Sequence, residues 1–145
     1  FSRSPYLFSG YWGNPQTISS MKEGWFSAGD LAQIDDEGFV YLVDRKMDMI
    51  ISGGVNIYPR EIEEVLYEHP AISDAAVIGV PDRYWGESVK AYVVLRENQN
   101  VNSDSLTKFC GKTLAGYKTP KSFEFISALP RGSTGKVLKR ALNNR

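Results

Sequence analysis

The run Asp44–Glu63, DRKMDMIISGGVNIYPREIE, restricts what this chain can fold into more than any other stretch. Within twenty residues it holds a charged cluster, a short apolar strand, a pair of glycines and a proline-started helix. Gly53 and Gly54 lack a Cβ and tolerate positive φ, so the backbone there can approach another object closely. Pro59 fits the first turn of a helix, where its missing N–H costs nothing. Glu61, Glu63 and Glu64 follow near the positive end of the helix dipole. The run therefore predicts a strand–loop–helix element with bare backbone at its centre.

The rest of the chain extends that element. Met49–Ile51 reads as a short strand. Ile62, Val65, Leu66 and His69 recur at i, i+3, i+4, i+7, which predicts an amphipathic helix over about 60–69. Ala75–Val80 and Val89–Leu95 read as antiparallel neighbours joined by Arg83–Glu87. Ser103 or Asp104 caps a helix running to about Leu114. Ser122–Ile126 is a third strand, and Val137 to about Asn143 a short helix after a loop. From residue 44 on the order is β-α-β-β-α-β, an α+β domain with helices on one face of a sheet. Upstream, Phe26–Ile34 and Phe39–Val43 form the arms of a β-hairpin around Asp35–Gly38. Residues 1–23 mix aromatic residues with turn formers at no steady period and read as extended chain and loop. Charge and polarity at Asp44–Met47 interrupt the apolar strands. The domain boundary is expected there, with 1–45 on one side and 46–145 on the other.

Composition removes several classes. Net charge is zero, so no global field argues for nucleic acid or a membrane surface. No apolar run approaches the roughly 18–20 residues of a membrane span, and no signal peptide is visible. With one cysteine, Cys110, no intrachain disulfide forms, and a reducing, cytoplasmic compartment is the expectation. One histidine and one cysteine cannot assemble an ordinary zinc site, and no other metal site is expected. His69 precedes Pro70, where a C-terminal cap or surface role fits it better than catalysis. No serine sits in a nucleophile elbow. The chain does not begin with methionine, and a piece of a longer protein is expected.

Three places carry chemistry. Asp30 follows a glycine just before a strand, where its two oxygens can meet vicinal hydroxyls such as those of a ribose; taken alone, a turn-forming aspartate is the plainer reading. Arg45 can fork onto a phosphate, ribose oxygen or carboxylate, while Gly53 and Gly54 let a slender ligand pass against backbone. A surface arginine and a tight turn are the plain alternative. Lys136, in Pro130–Lys136 (PRGSTGK), is a point charge on a glycine-flanked, mobile loop that can be delivered to a developing anion. That loop is not a phosphate-binding P-loop, because Val137 follows the lysine and Pro130 replaces the first glycine. Residues 116–145 hold seven basic side chains and one acidic, so a solvated or nucleic-acid-facing surface is the other reading of this end.

Taken in order, GWFSAGD, DEGFVYLVDRKMDMIISGGVNIYPREIE, PDRYWGE and YKTPKSFEFISALPRGSTGK closely resemble the C-terminal portion of the adenylate-forming enzymes. That superfamily includes acyl-CoA synthetases, peptide-synthetase adenylation domains and firefly luciferase; the forms of the glycine and tryptophan motifs are nearest the medium- and long-chain acyl-CoA synthetases. The resemblance implies an enzyme that activates a carboxylic acid, a fatty acid by its nearest branch, with ATP and Mg2+ and then passes the acyl group to CoA. It implies that residues 1–45 close a large N-terminal AMP-binding domain and that 46–145 form its C-terminal lid. Asp30 and Arg45 would contact the ribose of AMP, Lys136 would be the catalytic lysine of adenylation, and Gly53 and Gly54 would line the CoA tunnel after the lid swings. The hinge falls at Met47, where the family usually has lysine or aspartate, with Lys46 or Asp48 as substitutes for its role. The phosphate loop, adenine pocket and acyl tunnel lie outside this sequence, so the chain alone is expected to be inactive. Residues 1–43, lacking their packing partners, are expected to be partly disordered or to associate with another copy. An adenylation domain loading a carrier protein, or a stand-alone basic binding module, are the other readings.

Overall fold

A computed structural model describes residues 3–4 and 21–142. The chain divides into two compact units, Phe1–Met47 and Asp48–Arg145. Apart from Arg3 and Ser4, the expectations for residues 1–20 lie outside the described residues, as does the end of the last helix at Asn143.

In the first unit, β1 (Met21–Lys22) and β2 (Trp25–Phe26) pair antiparallel. The expected hairpin follows as β3 (Asp30–Ile34) and β4 (Val40–Arg45), starting later and running further than its hydrophobic pattern suggested. Asp35 shapes its turn by accepting from the amides of Glu37 at 3.0 Å and Phe39 at 2.9 Å. The Tyr41 hydroxyl donates to the other carboxylate oxygen at 2.9 Å. These bonds favour the charged carboxylate, and the Asp35 acid lies below its ordinary range, against the opposing effect of desolvation.

The second unit is built on β7 (Ile72–Asp82) and β8 (Gly86–Leu95), an antiparallel ribbon longer than the expected strands. On the other edge of β8 lie β5 (Ile50–Ser52) and, in parallel, β9 (Ser122–Phe125). The sheet order is β6-β5-β8-β7, with β9 paired to β8, where β6 is Val55–Ile57. This last strand corrects the strand–loop–helix expectation. Gly53 and Gly54 connect β5 to β6 as a two-residue hairpin turn, with φ of 58° and 80°, as the right-handed twist of the strands requires.

Two faces of the ribbon bury different cores, as the period of 2 dictates. Ala75, Val77, Ala91 and Val93 face α1 (Pro59–Tyr67) and α2 (Ser103–Cys110), meeting Ile62, Leu66, Leu106 and Cys110. Ile62 and Leu66 are fully buried, each worth about 1.5–3 kcal/mol. Ala76, Ile78 and Tyr92 face the other way, against Leu142 of the short α3 (Lys139–Leu142) and Leu129 of the preceding loop. The two longer helices thus share one face as expected, and α3 covers the other. The cap of α2 is neither Ser103 nor Asp104: the Asn102 side chain accepts from the Ser105 amide at 2.9 Å. The helix ends at Cys110, with Leu114 packed into the core beyond it.

Candidate functional site

Asp30 and Arg45 are direct cross-strand partners at the open end of the β3–β4 hairpin. The Arg45 Nε lies 3.7 Å from an Asp30 carboxylate oxygen, too long for a hydrogen bond. Both side chains are substantially exposed, so the pair contributes little to stability. Its geometry leaves a carboxylate and a guanidinium side by side, the complement of a polyhydroxylated ligand carrying negative charge. The Lys46 amide donates to the Gly29 carbonyl at 2.8 Å, closing the base of the same hairpin. Met47 follows at the division between the units, its side chain exposed.

The glycine hairpin of the second unit is braced by the turn between β7 and β8. Asp82 begins that turn, accepting from the amides of Tyr84 at 2.8 Å and Trp85 at 3.0 Å. Trp85 then presents its carbonyl to the Gly53 amide at 2.8 Å. Its ring lies against Gly53, where a Cβ would stand 2.8 Å from the ring. A Cβ on Gly54 would meet nothing within 4 Å. Glu87 completes the brace: its Oε2 accepts from the Ile51 amide at 2.7 Å, and its carboxylate covers Gly79, where a Cβ would lie 2.9 Å from Cδ. In the sequence, Asp82–Glu87 is a connection and part of the PDRYWGE motif, and neither reading gives Asp82, Trp85 or Glu87 a bracing role. The aspartate followed by an exposed tryptophan and a glycine was the available signal, since an aspartate ahead of a tight turn bonds amides two and three residues on.

Lys136 is exposed on the Pro130–Val137 loop. The backbone closes that loop into a small hairpin, with Gly135 donating to Gly132 at 2.9 Å and Gly132 to Lys136 at 2.9 Å. Its base is tied to Asp74 by Arg131. Asp74 and Asp82 stand at opposite ends of β7, about 25 Å apart at roughly 3.3 Å per residue. The glycine hairpin and the lysine loop therefore occupy opposite ends of one ribbon.

The basic charge of residues 116–145 is partly consumed within the domain. Lys118 reaches Glu61 at 2.7 Å, Lys139 reaches Glu63 at 2.7 Å, and Arg131 pairs with Asp74. The hydrogen bond to Glu61 holds the Lys118 amine above its ordinary value against the opposing effect of desolvation, and charge attraction to Glu61 adds to it. His69 is likewise occupied, its Nδ1 accepting from the Ala71 amide at 3.2 Å and its ring edge-on to Phe109. Among the described residues no group of three or more His, Cys, Asp or Glu is arranged to hold a metal ion. No helix of the described residues is long and apolar enough to cross a membrane.

Known proteins supply the frame for this geometry. The chain is 48% identical over 141 residues to the long-chain-fatty-acid–CoA ligase of Bacillus subtilis (strain 168), covering 97% of this chain and 25% of that protein. It is similar to the solved o-succinylbenzoate CoA synthetase of Bacillus subtilis in complex with the acyl-adenylate intermediate, at 41% identity and a TM-score of 0.89, over 97% of this chain and 29% of that one. The same synthetase in complex with ATP and magnesium ion matches at 40% identity and a TM-score of 0.87, over 97% and 29%. The chain thus spans about a quarter of the length of the curated relatives it matches. Residues 61–136 match the model of the AMP-binding enzyme C-terminal domain, a span that opens in α1 and closes on Lys136. That span is more than half of the chain and takes in the β7–β8 ribbon and the lysine loop, and this chain belongs to the family of AMP-binding enzyme C-terminal domains.

Proposed function

We propose that the chain works as the C-terminal part of an AMP-forming acyl-CoA synthetase. The observation that carries this reading is the separation of its two candidate faces. Lys136 and the glycine pair sit at opposite ends of β7, so one rigid domain serves two steps by presenting one end and then the other.

In the first step a substrate carboxylate oxygen attacks the α-phosphorus of ATP, forming acyl-adenylate and releasing pyrophosphate. Lys136 supplies positive charge where negative charge grows, and Asp30 with Arg45 orients the ribose. The 3.7 Å separation within that pair supports the assignment, because the carboxylate oxygens are not used up by the arginine. Mg2+ would enter with ATP and neutralise its phosphates. In the second step the CoA thiol loses its proton to solvent and its sulfur attacks the acyl carbonyl, the thioester C–S bond forms, and AMP leaves with the electrons of the broken C–O bond. The open side of Gly54 supports passage of the pantetheine arm along bare backbone. The domain would pivot at Met47, with Lys46 and Asp48 beside it.

The first unit is assigned to the end of a preceding AMP-binding domain. Ile34, Phe39, Val40 and Leu42 of its hairpin are exposed, an apolar surface of the kind that packs on neighbouring structure. That domain in cis is the partner proposed for it; with that domain absent, the same surface would pair with a second copy of the chain. The acyl chain is assigned to the fatty acids by the relatives' branch, and the location to the cytoplasm.

Two half-reactions test the proposal in the complete natural protein: acid-dependent ATP–pyrophosphate exchange, and thioester formation from supplied acyl-adenylate and CoA. Lys136→Ala is expected to lower exchange by about 100-fold or more while sparing thioester formation. Met47→Lys should alter the second step more than the first. Exchange that survives Lys136→Ala, or equal losses in both steps, would overturn the assignment. Acylation of a carrier protein with none of CoA would move the protein to the adenylation-domain branch.

A further inference from the structure

The loop that carries Lys136 is held at its base by a side chain to which the reading above gives no role. Arg131 lies on the opposite arm of that loop, bridged to Val137. Its Nη1 donates to the carbonyl of Gly135, the residue directly before Lys136, at 2.7 Å. Its Nη2 donates to Asp74 on β7. One planar guanidinium thus joins the loop's far arm to the rigid ribbon, which a lysine's single ammonium cannot do with the same fork. Asp74 is in turn fixed from α1. The Tyr67 hydroxyl donates to its other carboxylate oxygen at 2.8 Å, and the Ala75 amide donates to that same oxygen at 3.1 Å. Tyr67 also reaches the Ala75 carbonyl at 3.2 Å. Its phenol is pushed above its ordinary value by burial first and by the Asp74 hydrogen bond second, so it remains the donor throughout the neutral range.

The loop has few other supports. Its backbone bonds run within itself, from Gly135 to Gly132, from Gly132 to Lys136 and from Leu138 to Pro130. Ser133, Thr134, Gly135 and Lys136 are all exposed. Gly135 adopts φ of 79°, so its carbonyl direction, and the path of the chain into Lys136, depends on what holds that carbonyl. Arg131 holds it.

We propose that Arg131 is a positioning residue for Lys136, seated on Asp74 and Tyr67, and that this relay sets the direction in which the lysine leaves the ribbon. Both ends of the guanidinium are engaged, so it acts through the loop and not as a further phosphate ligand. The inference rests on the role assigned to Lys136 above. A displacement of about 1 Å at a reacting group costs up to about 100-fold in rate, so losing the clamp should lower adenylation without lowering substrate affinity.

The test uses Arg131→Ala, Arg131→Lys and Asp74→Asn in the complete natural protein, with two independent readouts. The first is amide hydrogen exchange at Gly132, Gly135 and Leu138. Arg131→Ala should speed it by about tenfold or more, with the β7–β8 amides unchanged. The second is acid-dependent ATP–pyrophosphate exchange, whose kcat should fall by about 10- to 100-fold with KM for ATP and acid held within about twofold. Thioester formation from supplied acyl-adenylate should be unaltered. Arg131→Lys should recover part of the loss, and Asp74→Asn should produce a smaller loss of the same kind. Should Arg131→Ala fail to fold, the two milder variants decide the matter by the same readouts. Unchanged loop amides, or a loosened loop with wild-type kcat, overturn the inference. A wild-type protein without any acid-dependent exchange overturns the synthetase reading instead, and the amide measurement still decides whether Arg131 clamps the loop.

Discussion

Replacing Gly53 and Gly54 by alanine one at a time separates what the fold needs from what a ligand needs. Both residues have left-handed φ, 58° and 80°, where a Cβ costs about 1–2 kcal/mol. At Gly54 that is the whole intramolecular cost, since nothing lies within 4 Å of the added carbon. At Gly53 the carbon would also stand 2.8 Å from Trp85 Cε3 and 3.2 Å from Cζ3. The ring is partly exposed and tilts away instead of disturbing the core, so overpacking adds about 1–3 kcal/mol. Gly53→Ala should therefore cost about 2–5 kcal/mol and Gly54→Ala about 1–2 kcal/mol. For a domain of this size each kcal/mol lowers the melting temperature by about 4–8 °C, readable by circular dichroism. Combining Gly53→Ala with Trp85→Leu should recover about 1 kcal/mol or more as a coupling energy, while Gly54→Ala with Trp85→Leu should be additive. The kinetic order should be reversed relative to stability. Gly54→Ala, the milder change to the fold, is expected to slow thioester formation by about tenfold or more in the complete protein and leave adenylation alone. Equal destabilisation by the two alanines, with no coupling to Trp85, would refute the packing argument. A wild-type thioester rate in Gly54→Ala would refute the ligand passage.

Other outcomes follow from charges and burial. Glu63 accepts from the Val77 amide at 2.8 Å and from Lys139 at 2.7 Å, with both charged side chains under a fifth exposed. Glu63→Ala leaves Lys139 without its partner and should cost about 3–5 kcal/mol in denaturant unfolding, against a near-neutral Glu64→Ala; a loss no larger than that control would contradict it. Burial pushes the Cys110 thiol up to about 11 from an ordinary 9.0. The folded state then keeps a proton that the unfolded chain loses, so the thiol's contribution is intact below pH 9 and falls as pH rises from about 9 to 11, by roughly 2–3 kcal/mol. Urea unfolding across that range should show a steeper decline in the wild type than in Cys110→Ala, and parallel curves would count against it.

Much of the frame was legible because it is local. The apolar spacing of Ile62, Val65 and Leu66 specifies α1, and the nearly continuous apolar runs Ala75–Val80 and Val89–Leu95 mark two buried strands, since each signal lies within the element it forms. Asp30 and Arg45 were single candidates in the sequence, yet the hairpin register between them makes them neighbours. The α2 cap was misassigned because Asn102, Ser103 and Asp104 are all capping residues in a row, and only backbone geometry selects one.

What the sequence by itself determined, then, is which segments become helix or strand and which residue types are available for chemistry. Tertiary structure decided what those residues do. The strand Val55–Ile57 is too short to carry a period, so only its pairing with Ile50–Ser52 turns the glycine pair into a hairpin. Trp85 and Glu87 acquire a role because β8 brings them under that hairpin. Lys118, Arg131 and Lys139 look like a basic surface until Glu61, Asp74 and Glu63 meet them from the other half of the domain. Each of these depends on contacts between distant residues, whose energies exist only once the chain has closed on itself; local propensity carries no record of them.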